Sequence, residues 1–307
     1  SSFGADNYFS EHFIINPMQF VKEYNELVKR DVRFTVFRNT KCRWTTTWDM
    51  MANQIIEIKR GNEKHGSCGM GIWQTVKRCK KQGYPELDTF LSWGREKQVF
   101  FLEGIRKLNE RDTGVIPTEF REVWYSKTLV EHFLNDCAIL KFGTYVVNSL
   151  ADINGYDELI FENGQGLLLS DDGFDRFDRT PSKTGLEIPA LILEQIGDVE
   201  TSVHYVTRTY MTRHGKGFCQ GELPTRKVLS SDVKEDRTNH WNEFQEDFRY
   251  GVLHLDSLKN RIDKDFSKNA KDNFTKIIEV THSDELDREV EFRKVFDNCN
   301  FRGSALL

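Results

Sequence analysis

Apolar residues along this chain change period repeatedly, from helical spacing to short runs and back, and the changes mark out alternating helices and strands. Pro17 stands where a first helical turn starts, and Phe20, Val21, Tyr24, Leu27 and Val28 follow at helical spacing. Residues 33–37 read as a short strand, and a second helix is predicted over 47–59 with Met51, Ile55 and Ile58 on one face. A third begins just after the glycine run GSCGMG at 66–71, whose exposed N–H groups suit a phosphate. From 85 to 140 the pattern is mostly helical, and amphipathic stretches at 100–108 and 120–134 place Phe100, Phe101, Trp124 and Phe133 in the core. Strands return at 158–161, 202–211 and 274–280, each ending in a candidate ligand loop. The order predicts an α/β fold, a mostly parallel central sheet flanked by helices, as a single domain over 1–307 with a helical excursion at about 85–140. Ligands in such sheets collect at the carboxyl ends of strands, so the three loops are expected to share one cleft.

Composition narrows the function classes. With 307 residues, 38% of them hydrophobic, the chain can bury one sizeable core. Its 43 basic and 48 acidic residues give a net charge of −5, which offers nucleic acid no general attraction. No apolar stretch approaches the roughly 18 residues a bilayer demands, and the opening residues lack a basic segment followed by an apolar core. A cytoplasmic protein without membrane or nucleic-acid partners is expected. The six cysteines are scattered without a CxxC pair and read as reduced thiols, and no histidine pair has metal-ligand spacing. The polar run DDGFDRFDRTPSK lacks the ligand spacing of a calcium loop and reads as a solvated loop.

The chemistry concentrates between 157 and 222. FENGQG at 161–166 and TRHGKG at 212–217 each follow an expected strand, and paired glycines there let backbone N–H groups approach a flat or anionic ligand. Gln165 adds a two-faced amide, Arg213 and Lys216 add cations, and the combination points to a nucleotide site, with ordinary turn chemistry as the alternative. Taken in order, GSCGMG, FENGQGLLLSDD, RTPSKTG at 179–185, RTYMTRHGKG and VTHSD at 280–284 resemble the motifs of adenylosuccinate synthetases. FENGQG is similar to that family's EGAQG loop. TRHGKG is similar to TRVGAG, with Glu222 and Leu223 at the Glu-Leu pair that follows it. GSCGMG resembles the phosphate-cradling GTTGRG, with Ser67 and Cys68 at two threonines and Met70 at the arginine. VTHSD matches LTKLD in Thr281 and Asp284.

The resemblance implies a P-loop-NTPase-like fold and a ligase of purine biosynthesis that joins aspartate to IMP while hydrolysing GTP. It implies Gln165 as the catalytic amide on the purine edge, and Ser67, Cys68, Gly69, Gln165, Thr180 and Gly215 around the substrate nucleotide. Thr238, Asn239 and Arg249 would bind aspartate; Arg249, His282, Ser283 and Asp284 would bind GTP, Asp284 by accepting from guanine N1 and N2. Arg249 matches the last arginine of the family's RRRRTGW run, whose preceding positions are Gln245, Glu246 and Asp247 here. On residue chemistry alone, Gln165 reads equally as a loop brace, Thr180-Pro181 as a helix cap and first-turn proline, and Arg249 as a surface cation.

Lys77, Arg78, Lys80 and Lys81 follow GSCGMG where the family sends an arginine to its twofold mate, which implies a homodimer. The family's glycine-rich opening loop and its NAGHT-like segment have no counterpart after Ser1, so the chain is expected to be N-terminally incomplete and inactive alone. Mg²⁺ is implied, with ligands expected in that opening segment and none on this chain, and GTP or ATP as co-substrate. Two other readings stay open: a phage-type enzyme joining aspartate to a guanine nucleotide to form 2-aminoadenylosuccinate, and a non-catalytic nucleotide-binding remnant.

Overall fold

The computed structural model describes residues 4–82, 84–171, 179–236, 239, 241 and 243–304. The chain forms two compact units, one of residues 1–63 and 69–159, the other of residues 64–68 and 160–307.

The first unit opens with β1 (Asn7–Phe9), β2 (Ile14–Ile15) and α1 (Pro17–Lys29). Asn16 caps α1 by accepting from the Gln19 N–H at 3.2 Å, and Pro17 takes the first helical position, where its missing N–H goes unmissed. Next come β3 (Val36–Asn39), β4 (Arg43–Trp44), α2 (Thr47–Arg60) and α3 (Ile72–Gln82). Four helices then follow, α4 (Leu87–Ser92), α5 (Arg95–Thr113), α6 (Thr118–Trp124) and α7 (Lys127–Phe142), before β5 (Tyr145–Val147). β1, β3 and β5 pair in parallel, and β2 pairs in parallel with β4. The core fills around Trp44, Trp48, Phe90, Trp124 and Phe133, with the Trp48 indole donating to the Trp124 carbonyl at 3.1 Å. The core assignment of Phe100 fails, and Ile58 does not share the burial of Met51 and Ile55. Phe100 is 78% exposed because the buried stripe of α5 runs through Leu102, Ile105 and Asn109, and Ile58 faces outward beyond the buried Met51 and Ile55 of α2.

A buried charge organises this unit. Asp49, wholly buried in the first turn of α2, closes a capping box with Thr46 and accepts from the Thr46 N–H and hydroxyl, both at 2.9 Å. Arg78 of α3 donates to it through Nε at 3.1 Å and Nη2 at 2.9 Å, and Asn109 of α5 adds a third side chain at 3.1 Å. The same Arg78 Nη2 reaches the Trp44 carbonyl at 2.8 Å, so β4 and three helices meet on one ion pair. Arg78 is only 2% exposed, which removes it from the intersubunit role implied by resemblance; Lys80 and Lys81 remain exposed on this helix. Gly71 is demanded here, since at φ +75° an added Cβ would lie 2.6 Å from the Met50 nitrogen.

The second unit holds α8 (Glu187–Leu193), β6 (Thr201–Arg208), β7 (Met211–His214), β8 (Phe248–Gly251), α9 (Leu255–Asn269), β9 (Phe274–Thr281), α10 (Glu289–Val295) and β10 (Cys299–Phe301). Its sheet is parallel in the order β10-β9-β6, with β6 and β9 in register from Thr201–Phe274 to Arg208–Thr281. Ile262, Ile278, Val280, Phe292 and Phe296 pack where α9 and α10 meet this sheet. β7 and β8 form an antiparallel pair. The predicted strand over 202–211 is thus two strands, because the chain leaves the parallel ladder at Thr209 and Tyr210 and turns into the hairpin. The α/β character and the parallel pairing expected from the sequence are present, carried by small sheets within each unit.

Asp49→Ala is expected to destabilise the chain by about 3–5 kcal/mol, since it strands Arg78 as an unpaired buried cation. Urea unfolding measures this. Lys22→Ala, on the exposed face of α1, is the control and should shift the midpoint negligibly.

Candidate functional site

The loop TRHGKG joins two cations that hold it from one side. Arg213 on β7 and Arg249 on β8 are register partners. Arg213 donates through Nε and Nη2 to the Lys216 carbonyl at 2.9 and 2.7 Å. Arg249 Nη1 donates to the Gly215 carbonyl at 2.8 Å and, with Nη2, to the Gly217 carbonyl at 3.1 Å. Across a trans peptide the C=O and the next N–H point in opposite directions, so the amides of Lys216, Gly217 and Phe218 are directed away from the guanidiniums. Gly66 packs against the Lys216 nitrogen, which leaves the N–H groups of Gly217 and Phe218 as the donors suited to an anion or a carbonyl-bearing base.

Residues 64–68 cross this loop at a glycine pair. A Cβ on Gly66 would lie 2.5 Å from the Gly215 Cα and from the Lys216 nitrogen, and one on Gly215 would lie 2.7 Å from the Gly66 oxygen. Both glycines also have positive φ, +76° and +84°, so neither accepts a side chain. Lys64 Nζ donates to the Glu243 carbonyl at 2.8 Å, while Lys216 pairs with Glu246 at 2.9 Å and His214 Nε2 lies 3.1 Å from the Glu246 carbonyl. The fold therefore brings Gly66 against Gly215, with the half-buried Ser67 and the exposed Cys68 following it in the chain. Gly69 belongs to the first unit, where its carbonyl accepts from Gln54 at 3.3 Å.

FENGQG is built differently from the strand-exit loop expected. Residues 158–161 form no strand, and Ile160 is 84% exposed, so the apolar run lacks the buried neighbours a ladder needs. The loop is instead tied to the 184–185 turn: Asn163 Nδ2 donates to the Thr184 and Gly185 carbonyls at 2.8 and 3.1 Å, and the Thr184 hydroxyl donates to the Gly166 carbonyl at 3.1 Å. Asn163 thus does the bracing, and Gln165 stays exposed. The Thr180 N–H donates to the Leu169 carbonyl at 2.9 Å, which brings Thr180 back beside this segment. Thr180 caps no helix, since α8 begins only at Glu187. The acidic run at 172–178 lies outside the described residues.

Thr238 lies outside the described residues, and the Asn239 N–H donates to Asp236 at 3.0 Å. Asp236 also pairs with Arg208 at 2.6 Å, beneath the rings of Tyr210 and Phe248. Arg249, beyond its loop carbonyls, donates through Nε to Glu222 at 2.7 Å, and that guanidinium holds the Glu222 carboxyl below the ordinary carboxylate range. Its fork faces the chain itself.

At the end of β9, His282 turns inward with φ +61°, its Nδ1 3.0 Å from the Thr281 hydroxyl, and burial followed by nearby Arg208 pushes its imidazole below the ordinary histidine value. Ser283 donates through N–H and hydroxyl to the Arg302 carbonyl at 3.2 and 3.0 Å. Asp284 accepts from the Ser304 N–H and hydroxyl, both at 2.6 Å, and from Lys234 at 3.3 Å. Those bonds, the Ser304 hydroxyl first, depress its carboxyl to about 2. Lys234 and Ser304 escaped the sequence reading because a contact across 50 and 20 positions leaves no local pattern.

Two outcomes follow from this geometry. Gly66→Ala is expected to destabilise the second unit by about 1–3 kcal/mol, through positive φ and collision with Gly215, with amide exchange at residues 215–218 rising accordingly. The Asp284 contribution to stability is fully present above about pH 4, the ordinary carboxylate value, and is lost as pH falls toward its folded value near 2. An Asp284→Asn variant should therefore flatten the acid limb of the thermal-stability profile in that window. An unchanged limb would contradict the pairing.

A 25% identical stretch of 214 residues matches adenylosuccinate synthetase of Dehalococcoides mccartyi, covering 68% of this chain and 49% of that protein. Adenylosuccinate synthetase 1 of Photorhabdus laumondii subsp. laumondii is 23% identical over 251 residues, 79% of this chain and 57% of the relative. The chain thus spans about half the length of the curated relatives it matches. Among solved structures, the succinoaminodeoxyadenylate synthetase PurZ of cyanophage S-2L, bound to dGMP and dATP as an energy donor, superposes with a TM-score of 0.49 at 13% identity, over 95% of this chain and 70% of that one. The adenylosuccinate synthetase family model matches residues 3–264, most of the chain, and the protein belongs to that family.

Proposed function

We propose that this chain carries nucleotide-binding parts of a carbon–nitrogen ligase of purine biosynthesis, which joins aspartate to IMP with hydrolysis of GTP to form adenylosuccinate. The observation that carries the reading is the crossing of Gly66 and Gly215, two motifs about 150 positions apart that the resemblance assigns to one nucleotide. In the proposed reaction the six-oxygen of the purine takes the γ-phosphoryl group of GTP. The aspartate amine then adds at C6, and phosphate leaves with the former six-oxygen. Such chemistry depends on positioning and on donors aimed where charge develops.

The chain's own residues supply parts of that arrangement. Gln165, exposed while Asn163 braces its loop, has both amide functions available for the purine edge. The outward amides of Gly217 and Phe218, with Ser67 and Thr180, are hydrogen-bond donors suited to phosphate and ribose. Arg249 acts as a positioning residue, through the carbonyls of Gly215 and Gly217. The family implies Mg²⁺, but the described residues hold no group of three His, Cys, Asp or Glu able to bind a metal, so no step is assigned to it. A homodimer in a cytoplasmic setting completes the reading. With Arg78 buried, Lys80 and Lys81 are the exposed cations of α3 through which a twofold contact would act. No helix among the described residues is long and apolar enough to cross a membrane.

A guanine nucleotide as the acceptor, giving 2-aminoadenylosuccinate, is the second reading. It is favoured by the replacement of the family's arginine run with Gln245, Glu246 and Asp247, of which Glu246 already pairs with Lys216.

Calorimetry with IMP, dGMP, GTP and ATP on the 307-residue chain separates these readings. Binding of a purine monophosphate is expected, weakened about tenfold by Gln165→Ala and by Arg249→Met, and unaffected by Lys22→Ala. Equal losses in Gln165→Ala and Lys22→Ala would remove the assigned site, and IMP against dGMP decides the acceptor. Sedimentation at micromolar concentration tests the dimer, which monomeric behaviour would contradict.

A further inference from the structure

We propose that Asp284 is a clasp for the chain's own 302–304 turn rather than a reader of guanine, so that the triphosphate site of this ligase accepts adenine and guanine donors alike. The inference rests on the ligase reading above and sets its donor specificity.

A carboxylate has about four acceptor positions, two on each oxygen. On Asp284, the Ser304 N–H takes one position of Oδ1 at 2.6 Å. The Ser304 hydroxyl at 2.6 Å and Lys234 Nζ at 3.3 Å take both positions of Oδ2. Lys234 Nζ also lies 3.2 Å from the Ser304 oxygen, so this hydroxyl donates to the carboxylate and accepts from the lysine. Guanine differs from adenine in presenting two neighbouring donors, N1–H and the N2 amino group, which need one acceptor on each oxygen of a carboxylate. One position remains on Asp284, and it is on Oδ1. The two Ser304 donors already occupy the carboxylate side by side, as a guanine edge would.

The turn that supplies Ser304 is firmly held. The Arg302 N–H donates to the Val280 carbonyl at 2.8 Å, continuing the parallel pairing of β10 with β9. Arg302 Nε donates to the buried Glu279 at 3.0 Å, and the Arg302 carbonyl accepts twice from Ser283. Gly303 packs against the carboxylate, since a Cβ there would sit 3.5 Å from the Asp284 Cγ. For guanine to reach Asp284, the two bonds from Ser304 and the solvent-exposed one from Lys234 have to break.

Calorimetry of the full chain with GTP and with ATP tests the clasp. The wild-type chain is expected to bind both within about threefold of each other. Lys234→Met/Ser304→Ala clears both positions of Oδ2 and is expected to create a preference for GTP of at least about fivefold, the lower end of what a bidentate base contact confers. A wild-type preference for GTP of about tenfold or more that disappears in Asp284→Asn overturns the inference and leaves the ligase reading intact. A double variant that keeps the wild-type ratio also overturns it. Binding of neither triphosphate removes the ligase reading, and the inference with it. Amide exchange gives a check independent of any ligand: the Ser304 N–H should exchange at least about tenfold faster in Asp284→Asn than in wild type, and equal rates exclude the clasp.

Discussion

A carboxylate sealed from water governs the first unit. Asp49 is wholly buried and needs donors around it, and the donors come from Thr46, Arg78 and Asn109 on separate elements. An apolar contact at this place would tolerate sliding of α2 over α3. Directed bonds to one carboxylate do not, and Arg78 extends the constraint to the Trp44 carbonyl on β4. The same pair fixes where α3 starts. Gly71 has to pass within a Cβ's reach of the Met50 nitrogen and the Asp49 carbonyl, so the glycine of the loop and the buried charge of the helix beneath it belong to one packing solution.

In the second unit the corresponding constraint lies on the backbone. Two arginines on facing strands take the carbonyls of residues 215–217, leaving the amides on the opposite side. The cations therefore act at one remove from any ligand, by fixing which face of the loop donates. A glycine-rich loop loses much entropy when it is ordered, and bracing it before a ligand arrives removes that loss from binding. Glu222 completes the device. It pairs with Arg249 and neutralises that cation of the brace.

The elements that local pattern governs were legible in the sequence. Pro17 and the stripe through Phe20 located α1, the alternating face around Met51 and Ile55 located α2, and Phe274 to Val280 located β9. Where the sequence misled, a tertiary contact overrode a local preference. Phe100 has helical spacing, but its helix buries the neighbouring stripe; 158–161 has strand composition without a partner strand among the described residues. The strand over 202–211 divides at Tyr210, whose hydroxyl is drawn to Glu285 at 2.7 Å, a partner 75 positions away. Motif resemblance located the loops well and their side chains less well. Backbone approach demands glycine at 66 and 215 but not at 164 and 166, and His282, Ser283 and Arg249 took local partners that no motif encodes.

Commitment of polar groups separates structural from available residues along the site. Arg208, Asp236, Tyr210, Glu285 and His282 sit below the carboxyl ends of β6 and β9 and satisfy one another there. A ligand could recruit them only by breaking these bonds. Other groups differ. Gln165 and Cys68 are exposed, and the amides of Gly217 and Phe218 face away from their bracing cations. These available groups, an amide, a thiol and backbone N–H donors, carry no net charge. Affinity for an anionic ligand at this loop would then come from oriented dipoles and from the nearby, already paired Lys216, Arg213 and Arg249, a pattern that favours precise placement over electrostatic attraction.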